Sequence, residues 1–203
     1  MESRLELRQT KKIGTRALVK IGMLSAIAYI IMFIEFPIPI FPAFLKLDFS
    51  DIPALIGGFA ISPIAGVLIQ LVKNLLHFIT KTSTGGVGEL GNFLVGGVYV
   101  FVASHIYKNH HNKKGAILGC IAGTLIMTVA GGIFNLYVLI PFYANIMPVE
   151  AIISMGSAIT ARIHDVPTLV LYGIVPFNIV KGIVVSMVTI LVYKRVSPLL
   201  KRK

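Results

Sequence analysis

Tryptophan is absent from this chain, cysteine occurs once, and only eight residues are acidic against 19 lysines and arginines. Without tryptophan, and with so little carboxylate, there is poor material for an aromatic or acidic cage around a cationic ligand. Cys120 lies in an apolar run with no partner, so no disulfide framework exists and the thiol reads as inert packing. The absence of a G-x-x-x-x-G-K-[ST] run excludes ATP hydrolysis by a P-loop. No H-E-x-x-H, no G-x-S-x-G and no pair of intramembrane carboxylates gives catalysis a home, so the chain reads as a non-enzyme without a cofactor. His110 and His111 sit among lysines with no cysteine or carboxylate at ligand spacing, which suits a solvated loop rather than a metal site, and His77, His105 and His164 read as dispersed.

Charge as a whole is scarce. Charged side chains make up 13% of the 203 residues and hydrophobic ones 56%, with a mean hydropathy of +0.86, well above what a soluble domain tolerates. The pattern predicts an all-α integral membrane protein of six transmembrane helices, over roughly 17–36, 51–61, 63–79, 90–107, 116–141 and 168–193. The second stretch is short and barely reaches across. Lys11, Lys12, Arg16 and Lys20 precede the first stretch, which runs on into Glu35-Phe-Pro-Ile-Pro without a small-residue cleavage site, so it reads as a retained span.

The basic residues collect where topology needs them. Arg4, Arg8, Lys11, Lys12, Arg16 and Lys20 precede span 1, Lys108, Lys113 and Lys114 lie between spans 4 and 5, and Lys194, Arg195, Lys201, Arg202 and Lys203 follow span 6. By the positive-inside bias these segments face the cytoplasm, which requires an even number of crossings and places both termini inside. One transmembrane domain covers 1–203, with a cytoplasmic segment at 1–16, outer loops at 37–50 and 142–167, and a basic tail at 194–203. No basic face is interleaved with exposed aromatics, so the net charge of +11 reads as topology against membrane lipid rather than nucleic-acid binding. Gly86-Val-Gly88-Glu-Leu-Gly91 matches G-x-G-x-x-G but follows an apolar helix instead of a strand, and reads as an outer turn.

Polar groups inside a span cost about 2.5–3.5 kcal/mol each for Lys, Arg or Asp at the centre, so their placement is informative. With this topology Asn74, Asn92, Asn135, Asn178, Lys73, Lys181 and the loop residue Asp48 fall in the outer half, which points to one pocket opening outward. Asn178 and Lys181 share a helix face, and Pro176 just before them frees backbone hydrogen-bonding capacity. A single Asn serves helix packing as readily as a ligand, and a lysine can snorkel or pair with Asp48. In span 1, Gly22 and Ala26, with Ser25 adjacent, make a small-residue strip that faces either a sibling helix or a partner. Gly131-Gly132 marks a kink in span 5.

Several runs together resemble the riboflavin-specific S components of energy-coupling factor (ECF) transporters. They are Met23-Leu-Ser-Ala-Ile-Ala28, Leu47-Asp-Phe-Ser-Asp-Ile-Pro53, Leu71-Val-Lys-Asn-Leu-Leu76, Asn135, and Ile174-Val-Pro-Phe-Asn-Ile-Val-Lys-Gly182. The resemblance implies a six-helix bundle in a bacterial plasma membrane that binds riboflavin from outside under a gating loop at 37–50. It then docks on the transmembrane coupling subunit EcfT, driven by two cytoplasmic ATPases, and tilts to deliver its load. It implies that Asn135, Asn178 and Lys181 bond the flavin ring, that Phe44, Lys46, Leu47 and Asp48 form part of the pocket, and that Gly22, Ser25 and Ala26 contact the partner. Asn92 joins the pocket on the placement argument above. Lys46 stands where an uncharged residue is expected, which raises a phosphorylated flavin such as FMN as an alternative. A stand-alone secondary transporter of a small polar solute is the other class, and it predicts intramembrane carboxylates or an inverted repeat.

Overall fold

The computed structural model describes residues 14–201. Helix α1 spans Thr15–Met32, α2 Asp51–Ala60, α3 Pro63–Lys81 and α4 Val87–Asn109. Helix α5 (Lys113–Phe134) runs through a π-helical turn, Asn135–Leu139, into α6 (Ile140–Tyr143). After α7 (Val149–Ser157), helix α8 (Val166–Leu169) runs through a second π turn, Val170–Ile174, into α9 (Val175–Lys201). The basic residues expected at 1–13 and 202–203 lie outside the described residues.

Five rods are long and apolar enough to cross a membrane: α1, α3, α4, Lys113–Tyr143 and Val166–Tyr193. The sixth expected span is different. With ten residues, α2 rises only about 15 Å, half of a hydrocarbon core of about 30 Å. It is nonetheless the most enclosed helix, with nine of its residues buried between α1, α3, α4 and α9. Its first residue, Asp51, contacts Lys73 and Lys181 near the middles of their rods, so α2 begins at mid-depth. The segment between α1 and α2 therefore dips into the bundle, where Asp48 and Ser50 are buried. Within it β1 (Phe36–Pro37) pairs antiparallel with β2 (Lys46–Leu47), a small ribbon on an otherwise helical fold. Span 1 accordingly ends at Met32, four residues short of the expected boundary, because the chain turns into this ribbon.

Local chemistry starts and stops the rods. Ser62 accepts a hydrogen bond from the Ala65 amide at the α3 start, with Pro63 at the first helical position. Asn112 does the same for Gly115 at α5, and Asp165 and Thr168 form a reciprocal cap on α8. The turn into α4 needs Gly85 and Gly86, whose φ angles are +60° and +93°.

Gly131 and Gly132 lie in regular α-helix, and the departure from it in the fifth rod is the π turn at Asn135–Leu139. Both π turns end two residues before a proline, Pro141 and Pro176. A proline ring collides with the carbonyl four residues back and lacks an N–H, and widening the preceding turn relieves both problems. The backbone then bonds across five residues, Ile140 N to Asn135 O and Val175 N to Val170 O.

Two apolar cores result. The larger holds Ile21, Leu55, Ile69, Val100 and Met127, and in it Tyr193 meets Phe59 and Tyr107 edge to face. The smaller, around Ile140, Ile152, Leu169 and Ile174, is built partly from the 142–167 segment, which contains the helix α7 and is not the simple polar loop expected.

Candidate ligand pocket

At the end of the bundle carrying the 33–50 segment, a cavity of about 160 Å³ is walled by that segment, α3, α4, the fifth rod and α9. Phe44, Lys46, Asp48, Asn92, Asn135, Asn178 and Lys181 all line it. Leu47 is buried but is not on its wall, because the two-residue ribbon turns successive side chains to opposite sides.

The π turn sets the position of Asn135, whose amide donates to the Gly131 carbonyl at 2.8 Å. Gly131 also makes room: a β-carbon there would sit 2.5 Å from Asn178 Nδ2. The bare backbone thus lets Asn178 of α9 approach the fifth rod at the residue whose carbonyl holds Asn135. On the next turn of α9 the Lys181 ammonium lies 3.1 Å from Asp48 Oδ2, 3.1 Å from Asp51 Oδ2 and 3.4 Å from Asn92 Oδ1.

Lys73 is fully buried, and its ammonium donates to Ser50 Oγ and Asp51 Oδ1, each at 2.5 Å. Ser50 passes the connection on through its own hydroxyl and backbone N–H to Asp48 Oδ1. Lys73 therefore lies behind the pocket wall, as does Asn74, which bonds the Gln70 carbonyl at 2.8 Å.

Two further lining residues escaped sequence reading. His77 Nδ1 lies 2.8 Å from Glu89 Oε1, and Thr82 and Thr84 donate to Glu89 Oε2 at 3.2 Å each. Glu89 lies inside the glycine-rich turn sequence, and the cost of an acid in an apolar run was the available signal. The expectation of no paired carboxylates within the spans is also corrected. Asp48, Asp51 and Glu89 are all buried, each matched by a lysine or histidine, because lone charges could not remain there.

Lys46, at the rim, forms an ion pair with Glu35 at 2.6 Å. On α1, Gly22 and Ala26 are exposed on the outer face, and nothing lies within 4 Å of where a β-carbon on Gly22 would be. Ser25 is only 1% exposed and points into the bundle, so it does not share that strip, a correction forced by the 100° step between successive helical residues.

Apolar rods of lipid-crossing length around one polar cavity, roofed by a re-entrant segment, define a multi-pass membrane protein built to hold a small solute. The chain belongs to the family of ECF transporter substrate-specific components, whose model matches residues 16–193. It is 41% identical over 199 residues to the riboflavin transporter RibU of Staphylococcus aureus (strain TCH60), covering 98% of this chain and 97% of that protein. It is 33% identical over 190 residues to the riboflavin transporter FmnP of Bacillus subtilis (strain 168), covering 93% and 95%. A solved S component of a bacterial ECF transporter matches with a TM-score of 0.73 and 42% identity, over 92% of this chain and 98% of that one.

Proposed function

We propose that this chain binds riboflavin at the outer face of a bacterial plasma membrane and delivers it by docking on the coupling subunit EcfT, itself driven by two cytoplasmic ATPases. The observation that carries the reading is convergence: Asn135, Asn178, Lys181 and Asn92, from three rods, line one cavity beneath the 37–50 segment. Riboflavin is uncharged, with a flat apolar ring edged by carbonyl and N–H groups. Asparagine amides can match both kinds of edge group, and a lysine can donate to a carbonyl. The relatives described above are riboflavin transporters.

Charge matching argues for riboflavin over FMN. Asp48 and Asp51 offset Lys73 and Lys181, and Glu35 offsets Lys46, leaving no lysine or arginine unmatched at the wall among the described residues to meet a phosphate. A secondary transporter would use its buried carboxylates to carry an ion, whereas here each is held by a basic partner.

Six crossings follow if the 33–50 segment and α2 together count as one, which places both termini on the basic, cytoplasmic side. The segment at 37–50 then serves as the gate. At about 160 Å³ the cavity is below the roughly 300–1,000 Å³ of small-molecule sites, so a flavin must displace this segment to enter. Gly22 and Ala26 supply the docking strip and the loaded subunit tilts to release its cargo inward.

The visible absorption spectrum of detergent-purified protein, expressed with riboflavin in the medium and washed, tests the ligand. Co-purified flavin identified as riboflavin after extraction supports the reading; colourless protein that also fails to quench added riboflavin rejects it.

A further inference from the structure

From the pocket wall inward five groups close a ring, Asp48 and Lys181 on the wall and Ser50, Asp51 and Lys73 behind it: Lys181 to Asp48, Asp48 to Ser50, Ser50 to Lys73, Lys73 to Asp51, and Asp51 back to Lys181. Its two cations and two carboxylates balance. Lys73 and Asp51 touch nothing in the cavity, yet they set what Lys181 can do there.

An ammonium has three hydrogens. Lys181 donates to Asp48 Oδ2 at 3.1 Å and to the neutral Asn92 Oδ1 at 3.4 Å, with Asp51 Oδ2 3.1 Å away as an ion-pair partner. The Asn92 contact is the longest and the only uncharged one, so it is the one a ligand carbonyl can displace. That holds only while neither carboxylate takes more than its share of the ammonium. Lys73 ensures this by occupying Asp51 Oδ1, with Gln70 Nε2 beside it at 2.8 Å, so that only Oδ2 is turned to Lys181.

We infer that Lys73 and Asp51 are positioning residues for ligand binding, a buried ion pair that meters how much of the Lys181 charge reaches the ligand. This rests on the proposed riboflavin site and names residues that act on it without touching the ligand. Removing Lys73 alone leaves two carboxylates competing for one ammonium, which draws Lys181 away from the cavity. Removing the Asp51 charge as well leaves Asp48 and Lys181 as a balanced pair, and the ammonium is again available.

The test is a double-mutant cycle on full-length protein in detergent, with riboflavin affinity read by fluorescence quenching and the carbonyl stretch of the bound flavin read by infrared difference spectroscopy. Lys73→Met is expected to weaken binding by roughly tenfold or more. It also raises the carbonyl frequency, because the ammonium bond to the flavin weakens. Lys73→Met/Asp51→Asn is expected to bind to within a few-fold of wild type with the wild-type frequency. Two packing losses would compound rather than cancel, so this antagonism separates positioning from a merely structural role. The inference is overturned if Lys73→Met keeps wild-type affinity and frequency, or if the double variant binds no better than Lys73→Met. A double variant that does not fold also overturns it, since a charge-balanced ring is expected to fold even where the single variant does not. Wild-type protein that ignores riboflavin in the same assay instead rejects the proposed ligand.

Discussion

Lys181 and Asp48, 133 positions apart, meet at 3.1 Å and tie the segment before α2 to α9 at the buried wall of the pocket. The tie secures the last strand of that segment just where the chain enters α2. Asp48→Asn removes the charge while leaving Lys181 paired with Asp51. Riboflavin is expected both to enter and to leave faster, with the larger change in the off-rate and affinity down by about tenfold, since hydrogen bonds to charged groups contribute about 1.5–3 kcal/mol. Stopped-flow fluorescence checks it; unchanged rates would mean that the segment is held elsewhere.

Gly131→Ala tests the close approach of Asn178 to the fifth rod. The added methyl lands 2.5 Å from Asn178 Nδ2, so the amide must shift by several tenths of an ångström. Overpacking of this kind costs about 1–3 kcal/mol, expected here as a five- to hundredfold loss of riboflavin affinity with the protein still folded. Isothermal titration together with a thermal melt separates the two effects.

Glu35→Gln frees Lys46 at the rim. The variant is expected to gain affinity for FMN relative to riboflavin by a few-fold, a small effect because the pair is partly exposed to solvent. Competition binding measures the ratio, and no change would remove Lys46 from the specificity argument.

Gly22→Phe/Ala26→Phe places bulk on the exposed face of α1, away from the cavity. Uptake of labelled riboflavin by cells is expected to fall to background while binding by the purified variant persists. Loss of binding as well would point to misfolding of the bundle.

The sequence made the lipid-crossing rods legible because hydrophobic length is a local property, and it made Asn135, Asn178 and Lys181 legible because polar groups are costly in such rods. It misjudged what depends on partners distant in the chain. Lys73 looked like a candidate for the ligand until Asp51, 22 positions earlier, was found against it. His77 looked isolated until the turn at Gly85 and Gly86 folded Glu89 onto it. Ser25 sits beside Ala26 in sequence yet faces into the bundle. The π turns were encoded by Pro141 and Pro176, but a proline announces a disturbance without specifying how the backbone resolves it.

The central claim is that Asn178 and Lys181 serve one riboflavin site. Equilibrium titration of purified wild type, Asn178→Ala and Lys181→Ala with riboflavin tests it most directly. The account predicts submicromolar binding by the wild type, a loss of about three- to tenfold for Asn178→Ala, and a loss of tenfold or more for Lys181→Ala, with all three proteins folded. Folded variants that bind riboflavin as tightly as the wild type would contradict it.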